Sequence, residues 1–174
     1  GASNAGAVYI VFSGTSRFSS TTSLGGASII EITGETASTK LGDAVTVGDI
    51  NGDSYDDVIV SSINMAGSGG SVVMVGGFFI IYGQSSGLQS GTTSGKPLKV
   101  GEAASDNLGA SLATGDLNGD GYDDIIAVAS GNDDGGTNGG SIYVVYGQSA
   151  TLSGGNVSTL PEFTDATASD STSF

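Results

Sequence analysis

The sequence predicts an all-β chain of repeated antiparallel strands, and three observations carry that prediction. Two acidic loops nearly coincide, Asp49-Ile-Asn-Gly-Asp-Ser-Tyr-Asp-Asp57 and Asp116-Leu-Asn-Gly-Asp-Gly-Tyr-Asp-Asp124. Short β-branched runs follow each loop directly. The segments around the loops recur along the whole chain, with a unit of about 64–70 residues.

Each loop carries oxygen-bearing side chains at positions 1, 3, 5 and 9, with Gly at 4 and Tyr at 7. A hard cation such as Ca²⁺ takes six to eight oxygens at about 2.3–2.6 Å. The first loop offers Asp49, Asn51, Asp53, the carbonyl of Tyr55, and Asp57. The second offers Asp116, Asn118, Asp120, the carbonyl of Tyr122, and Asp124. A lone loop of this kind also reads as a turn, since Asp, Asn and Gly all favour turns. Two copies agreeing at every ligand position argue for a metal. Carboxylates about 4 Å apart repel by roughly 4 kcal/mol per pair at an effective dielectric near 20, and a cation offsets that cost. EF-hand loops begin alike but require a bidentate Glu at position 12, where this chain has Val60 and Ala127. The expected cofactor is therefore about two Ca²⁺ ions in loops that are not EF-hands.

Val58-Ile59-Val60 and Ile125-Ile126-Ala127-Val128 are too short for independent helices and read as buried strands. Each acidic loop is thus expected to join two strands. Asp56-Asp57 and Asp123-Asp124 straddle the strand starts, where neighbouring side chains point to opposite faces. One acid of each pair can ligate while the other faces away.

The repeat extends beyond the loops. The segment Gly34–Gly42, ending Lys40-Leu41-Gly42, matches Gly101–Gly109, ending Asn107-Leu108-Gly109, 67 positions later. The segment Gly77-Phe78-Phe79-Ile80-Ile81-Tyr82-Gly83-Gln84 matches Ser141-Ile142-Tyr143-Val144-Val145-Tyr146-Gly147-Gln148 at an offset of 64. A third copy of that strand opens the chain at Gly6–Phe12, and Phe163–Asp170 repeats the other segment. Fixed periods signal solenoids, propellers or arrays. One unit reads as four strands, near 111–114, 124–129 and 141–146 with a fourth at Leu98–Val100 or its equivalent. Gly-, Ser- and Asn-rich stretches (67–71, 83–95, 131–140, 147–156) separate them, and no segment has sustained helical spacing. The run Val72–Val75 has no counterpart and reads as a strand extension or hairpin special to its unit. The approximate units are 1–33 (partial), 34–100, 101–160 and 161–174 (partial).

The order Leu-Gly, D-x-N-x-D-x-x-D-D, strand, Gly-Gly and aromatic-rich strand resembles the FG-GAP repeat family, which builds the β-propeller of integrin α subunits and related extracellular proteins. The "FG" stands here as Leu41-Gly42 and Leu108-Gly109; Val60-Ser61-Ser62 and Val128-Ala129-Ser130 replace the "GAP". The resemblance implies four-stranded antiparallel blades, with Ca²⁺ in the loop joining the first two strands of each. Two whole units and two partial ones make an incomplete ring, since propellers close with four or more blades. Three arrangements stay open: a piece of a longer chain, a ring completed by several copies, or a head-to-tail stack of copies.

Eighteen acidic residues face four basic ones (Arg17, Lys40, Lys96, Lys99), a formal charge of −14. That balance excludes nucleic acid and anionic membranes as electrostatic partners, and two bound Ca²⁺ ions would bring it to about −10. The 37% hydrophobic content argues against disorder. With no cysteine, metal and repeat packing must do what disulfides do in many secreted modules. Extracellular calcium fills sites with dissociation constants near 10⁻⁴–10⁻³ M, so a secreted or cell-surface setting is expected. No signal peptide and no run of 18 apolar residues is visible, so membrane insertion is not expected. Asn156-Val157-Ser158 fits the glycosylation acceptor pattern.

Histidine and cysteine are absent, which removes the commonest general base and the thiol nucleophile. No nucleophile elbow or phosphate-binding loop is present, and the chain is not expected to be an enzyme. Position 7 gives its carbonyl whatever its side chain, so the rings of Tyr55 and Tyr122 read as packing against the next blade. Phe78, Phe79, Tyr82, Tyr143 and Tyr146 read as core. The leading functional expectation is a calcium-binding extracellular structural module that self-assembles into a surface or filament, its partners being copies of itself or the rest of a longer chain. The alternative is an adhesion propeller fragment that takes a protein or glycan ligand. A third class is a non-catalytic propeller attached to an enzyme.

Overall fold

The computed structural model describes residues 3–12, 29–66, 74–96, 98–134, 137, 139–158 and 162–164. Twelve strands follow one another: β1 Ala7–Val11, β2 Ile29–Thr33, β3 Val45–Gly48, β4 Asp57–Ser62, β5 Gly77–Ile81, β6 Gly91–Thr92, β7 Leu98–Val100, β8 Leu108–Gly115, β9 Asp124–Ala129, β10 Ser141–Val145, β11 Gly155–Asn156 and β12 Glu162–Thr164. No helix occurs among the described residues, so none there is long and apolar enough to cross a membrane. The strands form three sheets, ordered β1-β2-β6, β11-β7-β5-β4-β3 and β12-β10-β9-β8, and none closes into a barrel. The fold is all-β, and its antiparallel sheets are consistent with β-propeller blades.

The apolar runs become strands buried on both sides. Every residue of β4 is buried. Its Ile59 packs with Phe78, Ile80, Leu108, Ile125 and Tyr143, whereas Val58 and Val60 pack with Ile32, Leu41 and Ile81 on the opposite face. Successive side chains of a strand alternate faces, so a sheet pressed between two others needs unbroken apolar residues instead of alternation. Full burial of one Ile or Phe contributes about 1.5–3 kcal/mol, and the middle sheet contributes on both faces.

The same joint links successive units twice. Gly6 bridges Leu41 and Gly76 bridges Leu108, each in parallel. The Leu41 N–H donates to the Ala5 carbonyl at 2.8 Å, and the Leu108 N–H donates to the Val75 carbonyl at 3.1 Å. Gly76 sits at φ +77, and a Cβ there would lie 2.4 Å from the Leu108 nitrogen. Only glycine combines that dihedral with so close a backbone approach.

The Gly- and Ser-rich connections hold two strands that sequence patterning does not reveal. β6 pairs in parallel with β2, and β11 pairs in parallel with β7. Each ties a connection back to the preceding sheet, so sheet membership crosses the sequence units. The run at 72–75 is described only from Met74, which forms an antiparallel bridge to Ala66; its earlier part lies outside the described residues, as does 165–170 of the last repeat segment.

Candidate metal centre

Both acidic loops sit where the repeat order places them. β3 pairs antiparallel with β4 up to Gly48 opposite Asp57, and β8 pairs with β9 up to Gly115 opposite Asp124. The loops are therefore strand-to-strand connections.

Their internal hydrogen bonds repeat atom for atom at most positions. In the first loop the Asp49 carboxylate accepts the N–H groups of Asp53 (3.0 Å) and Ser54 (2.8 Å). Asn51 Oδ1 also accepts the Asp53 N–H at 3.0 Å, and Asp53 Oδ1 accepts the Tyr55 N–H at 2.9 Å. The Asn51 amide donates to Asp53 Oδ2 at 3.0 Å. In the second loop Asp116 accepts from Gly119 (2.7 Å), Asp120 (3.1 Å) and Gly121 (3.0 Å). Asn118 Oδ1 accepts the Asp120 N–H at 2.9 Å and its amide donates to Asp120 Oδ2 at 2.9 Å, while Asp120 Oδ1 accepts from Tyr122 at 3.0 Å. Gly52 and Gly119 take positive φ values of 73 and 78 at the same step. Two positions later the copies differ: Ser54 holds φ 70 where the second loop has Gly121 at φ 90.

The ninth position is the anchor. Asp57 and Asp124 are both fully buried. Asp57 accepts the N–H of Ile50 at 3.0 Å and of Gly83 at 2.8 Å. Asp124 accepts the N–H of Leu117 at 2.9 Å and of Gly147 at 2.9 Å. Each carboxylate thus holds its own loop against the Tyr-Gly-Gln step after the next strand. This explains the glycine of that repeated step: a Cβ would meet the Asp56 carbonyl oxygen at 2.5 Å from Gly83, and the Asp123 carbonyl oxygen at 2.4 Å from Gly147. The repeated Tyr82-Gly83-Gln84 and Tyr146-Gly147-Gln148 mark this step in the sequence, although nothing there names the distant carboxylate that each glycine meets.

Burial pushes the Asp57 carboxyl up to about 6, the two amide donors oppose the rise, and the charges of Asp53 and Asp49 add to it. Asp49 and Asp53 therefore both act against the ionised form of Asp57 through space. No group of three or more acidic, His or Cys side chains positioned to hold a metal occurs among the described residues. The carboxylates point at loop amides. A carboxylate offers about four lone-pair sites, and the two amides bound to Asp57 or Asp124 leave others open. The donor set is oxygen alone, the kind that suits a hard cation. Asp49, Asn51, Asp53, Asp57 and the Tyr55 carbonyl, like Asp116, Asn118, Asp120, Asp124 and the Tyr122 carbonyl, have the all-oxygen chemistry of a hard-cation site, while their side chains are turned to loop amides and not gathered around a common centre.

The other members of the acid pairs behave differently. Asp56 is exposed. Asp123 reaches the first loop, where its carboxylate accepts the Asp49 N–H at 3.0 Å. The Asp123 N–H donates to the Asp49 carbonyl at 3.0 Å, and the Gln148 N–H donates to the Ile50 carbonyl at 3.0 Å. Tyr122 lies over the same loop, where a Cβ on Gly52 would meet its ring at 2.4 Å. Its ring packs across the sheet boundary onto the preceding unit and not onto the next blade, whereas Tyr55 is 44% exposed. Of the aromatic residues read as core, Phe78 and Tyr143 are buried, Phe79 and Tyr82 are half-buried, and Tyr146 is 47% exposed on the surface.

A second polar cluster has no repeated signature in the sequence. Buried Asn132 donates to Tyr143 Oη at 3.1 Å and to Glu102 at 3.2 Å, and accepts from Ser141 Oγ at 2.8 Å. The Tyr143 hydroxyl donates to Glu102. Asp106 accepts the Ala103 N–H at 2.8 Å. Burial raises the Asp106 carboxyl, and the nearby charges of Asp134 and Asp133 add to that rise. Asn156 is exposed, but its amide donates to the Gly101 carbonyl at 2.9 Å and its oxygen accepts the Ser158 N–H at 2.7 Å.

A search of curated proteins finds no match to this chain. The family model of the FG-GAP repeat matches residues 108–145, placing an FG-GAP repeat on β8, the second acidic loop, β9 and β10.

Proposed function

We propose that the chain is a calcium-stabilised, non-catalytic β-propeller-type module with a structural role outside the cell. The observation that carries the reading is the duplicated loop. Asp49, Asn51, Asp53 and Asp57 recur as Asp116, Asn118, Asp120 and Asp124 with the same hydrogen-bond partners by position. A cation in the first loop would relieve the repulsion that Asp49 and Asp53 exert on Asp57. Ca²⁺ bound there would add folding free energy by mass action, reaching about 2.7 kcal/mol at a hundredfold excess over its dissociation constant. Extracellular calcium is abundant enough to fill weak sites of this type, and the chain has no cysteine with which to staple its sheets.

Self-assembly, or completion by the rest of a longer chain, is the matching proposal for partners. Among the described residues β1 pairs only with β2, leaving a strand edge of the kind that accepts another strand. Thermal unfolding and native mass spectrometry, in millimolar Ca²⁺ and in chelator, test both halves. The reading expects a higher melting temperature and larger assemblies with Ca²⁺. Identical melting in the two conditions contradicts the metal, and a monomer in both contradicts the assembly.

A further inference from the structure

A cavity of about 360 Å³ lies between the first two sheets. Leu41, Met65, Phe79 and Leu98 supply apolar walls, and Thr93 also lines it. Thr93 is only 3% exposed. Its N–H donates to the Thr33 carbonyl at 3.0 Å, and its carbonyl accepts the Lys96 N–H at 3.1 Å. Its hydroxyl is bonded to no described residue. A buried hydroxyl without a partner loses its water hydrogen bonds and recovers none.

The repeat shows that the fold does not require this arrangement. An offset of 64 carries Thr93 onto Val157 and Phe79 onto Tyr143; an offset of 67 carries Met65 onto Asn132 and Glu35 onto Glu102. In that second unit Val157 is fully buried in the core. Tyr143, Asn132 and Glu102 there are bonded to one another. The first unit replaces this satisfied network with Phe79 and Met65, and puts a hydroxyl where valine suffices. The result is a largely apolar space holding one buried hydroxyl that no described residue answers, a make-up that suits a small-molecule pocket.

We propose that this cavity binds a small uncharged aromatic molecule bearing a hydroxyl group. The ring would lie against Met65, Phe79 and Leu98, and the hydroxyl would pair with Thr93. An apolar cavity of about 150 Å³ already accepts benzene, so the space here admits a substituted single ring. The formal charge of −14 disfavours an anion. The two charged residues of the lining, the exposed Glu35 and Lys96, carry opposite charges and give no net preference. The inference is independent of metal in the acidic loops.

The test titrates phenol and toluene into the whole chain in Ca²⁺, following the methyl resonances of Met65, Leu41 and Leu98. Saturable shifts at those methyls with both compounds are expected. Thr93→Val should weaken phenol about fivefold, the worth of one hydrogen bond, leave toluene unchanged, and raise the melting temperature without ligand. Ala66→Phe, which fills the cavity from its lining, should abolish both titrations in a folded protein. No saturable shift with phenol, the result of a merely hydrated space, overturns the proposal. Equal phenol affinity in Thr93→Val, or shifts confined to other methyls, overturns it as well.

Discussion

Asp123 and Asp49 hold each other twice: the Asp123 carboxylate accepts the Asp49 N–H, and the Asp123 N–H donates to the Asp49 carbonyl, each at 3.0 Å. The first residue of one acidic loop is thereby fixed by the penultimate residue of the next. The loops are one connected structure across the sheet boundary, and Tyr122 over Gly52 packs the same junction.

Asp123→Ala leaves the Asp49 N–H without its side-chain acceptor, so it should lower unfolding free energy by about 1–3 kcal/mol in urea denaturation. Asp123→Asn keeps an acceptor oxygen and should retain most of the stability. A loss under about 0.5 kcal/mol in the alanine variant, the range of an ordinary surface change, would remove the tie from the account.

Ser54 holds φ 70 at the step where the second loop has Gly121 at φ 90. A left-handed conformation costs a non-glycine residue roughly 1–2 kcal/mol, partly offset by the extra freedom glycine brings to the unfolded chain. Ser54→Gly should therefore stabilise by about 0.5–1 kcal/mol, and Gly121→Ser should destabilise by a similar amount. Paired thermal melts check the two signs, and a destabilised Ser54→Gly contradicts the argument.

Gly83→Ala drives a methyl to 2.5 Å from the Asp56 carbonyl oxygen and displaces the N–H that Asp57 holds. A loss of about 3 kcal/mol is expected, in the upper range for single substitutions. Gly147→Ala should behave alike, because its N–H serves Asp124 in the same way. Near-neutral variants would show that the buried carboxylates do not anchor the loops.

Asp106 sets a pH dependence away from the loops. Its carboxyl is raised by burial and then by the charges of Asp134 and Asp133. The folded state binds the proton more tightly than the unfolded one, so the contribution is complete below the ordinary aspartate value. It is lost as pH rises through the raised value. Asp106→Asn, whose oxygen can still accept the Ala103 N–H, should flatten that part of the curve and match or exceed the parent at pH 7. Melting curves from acid to neutral pH in chelator compare the two, and identical slopes contradict the assignment.

Much of the fold was legible because β4 and β9 are short apolar runs beside unmistakable loops, and because β5 and β10 share aromatic spacing. The two faces of β4 follow from Val58-Ile59-Val60, which has no polar side to expose. β6 and β11 were hidden because their parallel ladders use Gly91–Thr92 and Gly155–Asn156 through backbone groups, which side-chain patterning does not report. The loop residues were found from spacing. The double role of Asp57 and Asp124 as buried acceptors for Gly83 and Gly147 was not, since it depends on partners more than twenty positions away. The Asp123 tie spans 74 positions back to Asp49, and the contrast between Thr93 and Val157 matters only once a cavity is seen between the sheets.

Calorimetric titration of the chelator-stripped chain with Ca²⁺ tests the central claim most directly. The account expects about two ions per chain, the number of oxygen-lined loops, with Asp49→Ala and Asp116→Ala each removing one. Absence of heat and of any melting shift at millimolar Ca²⁺ would contradict it, leaving the two aspartate loops as hydrogen-bonded turns.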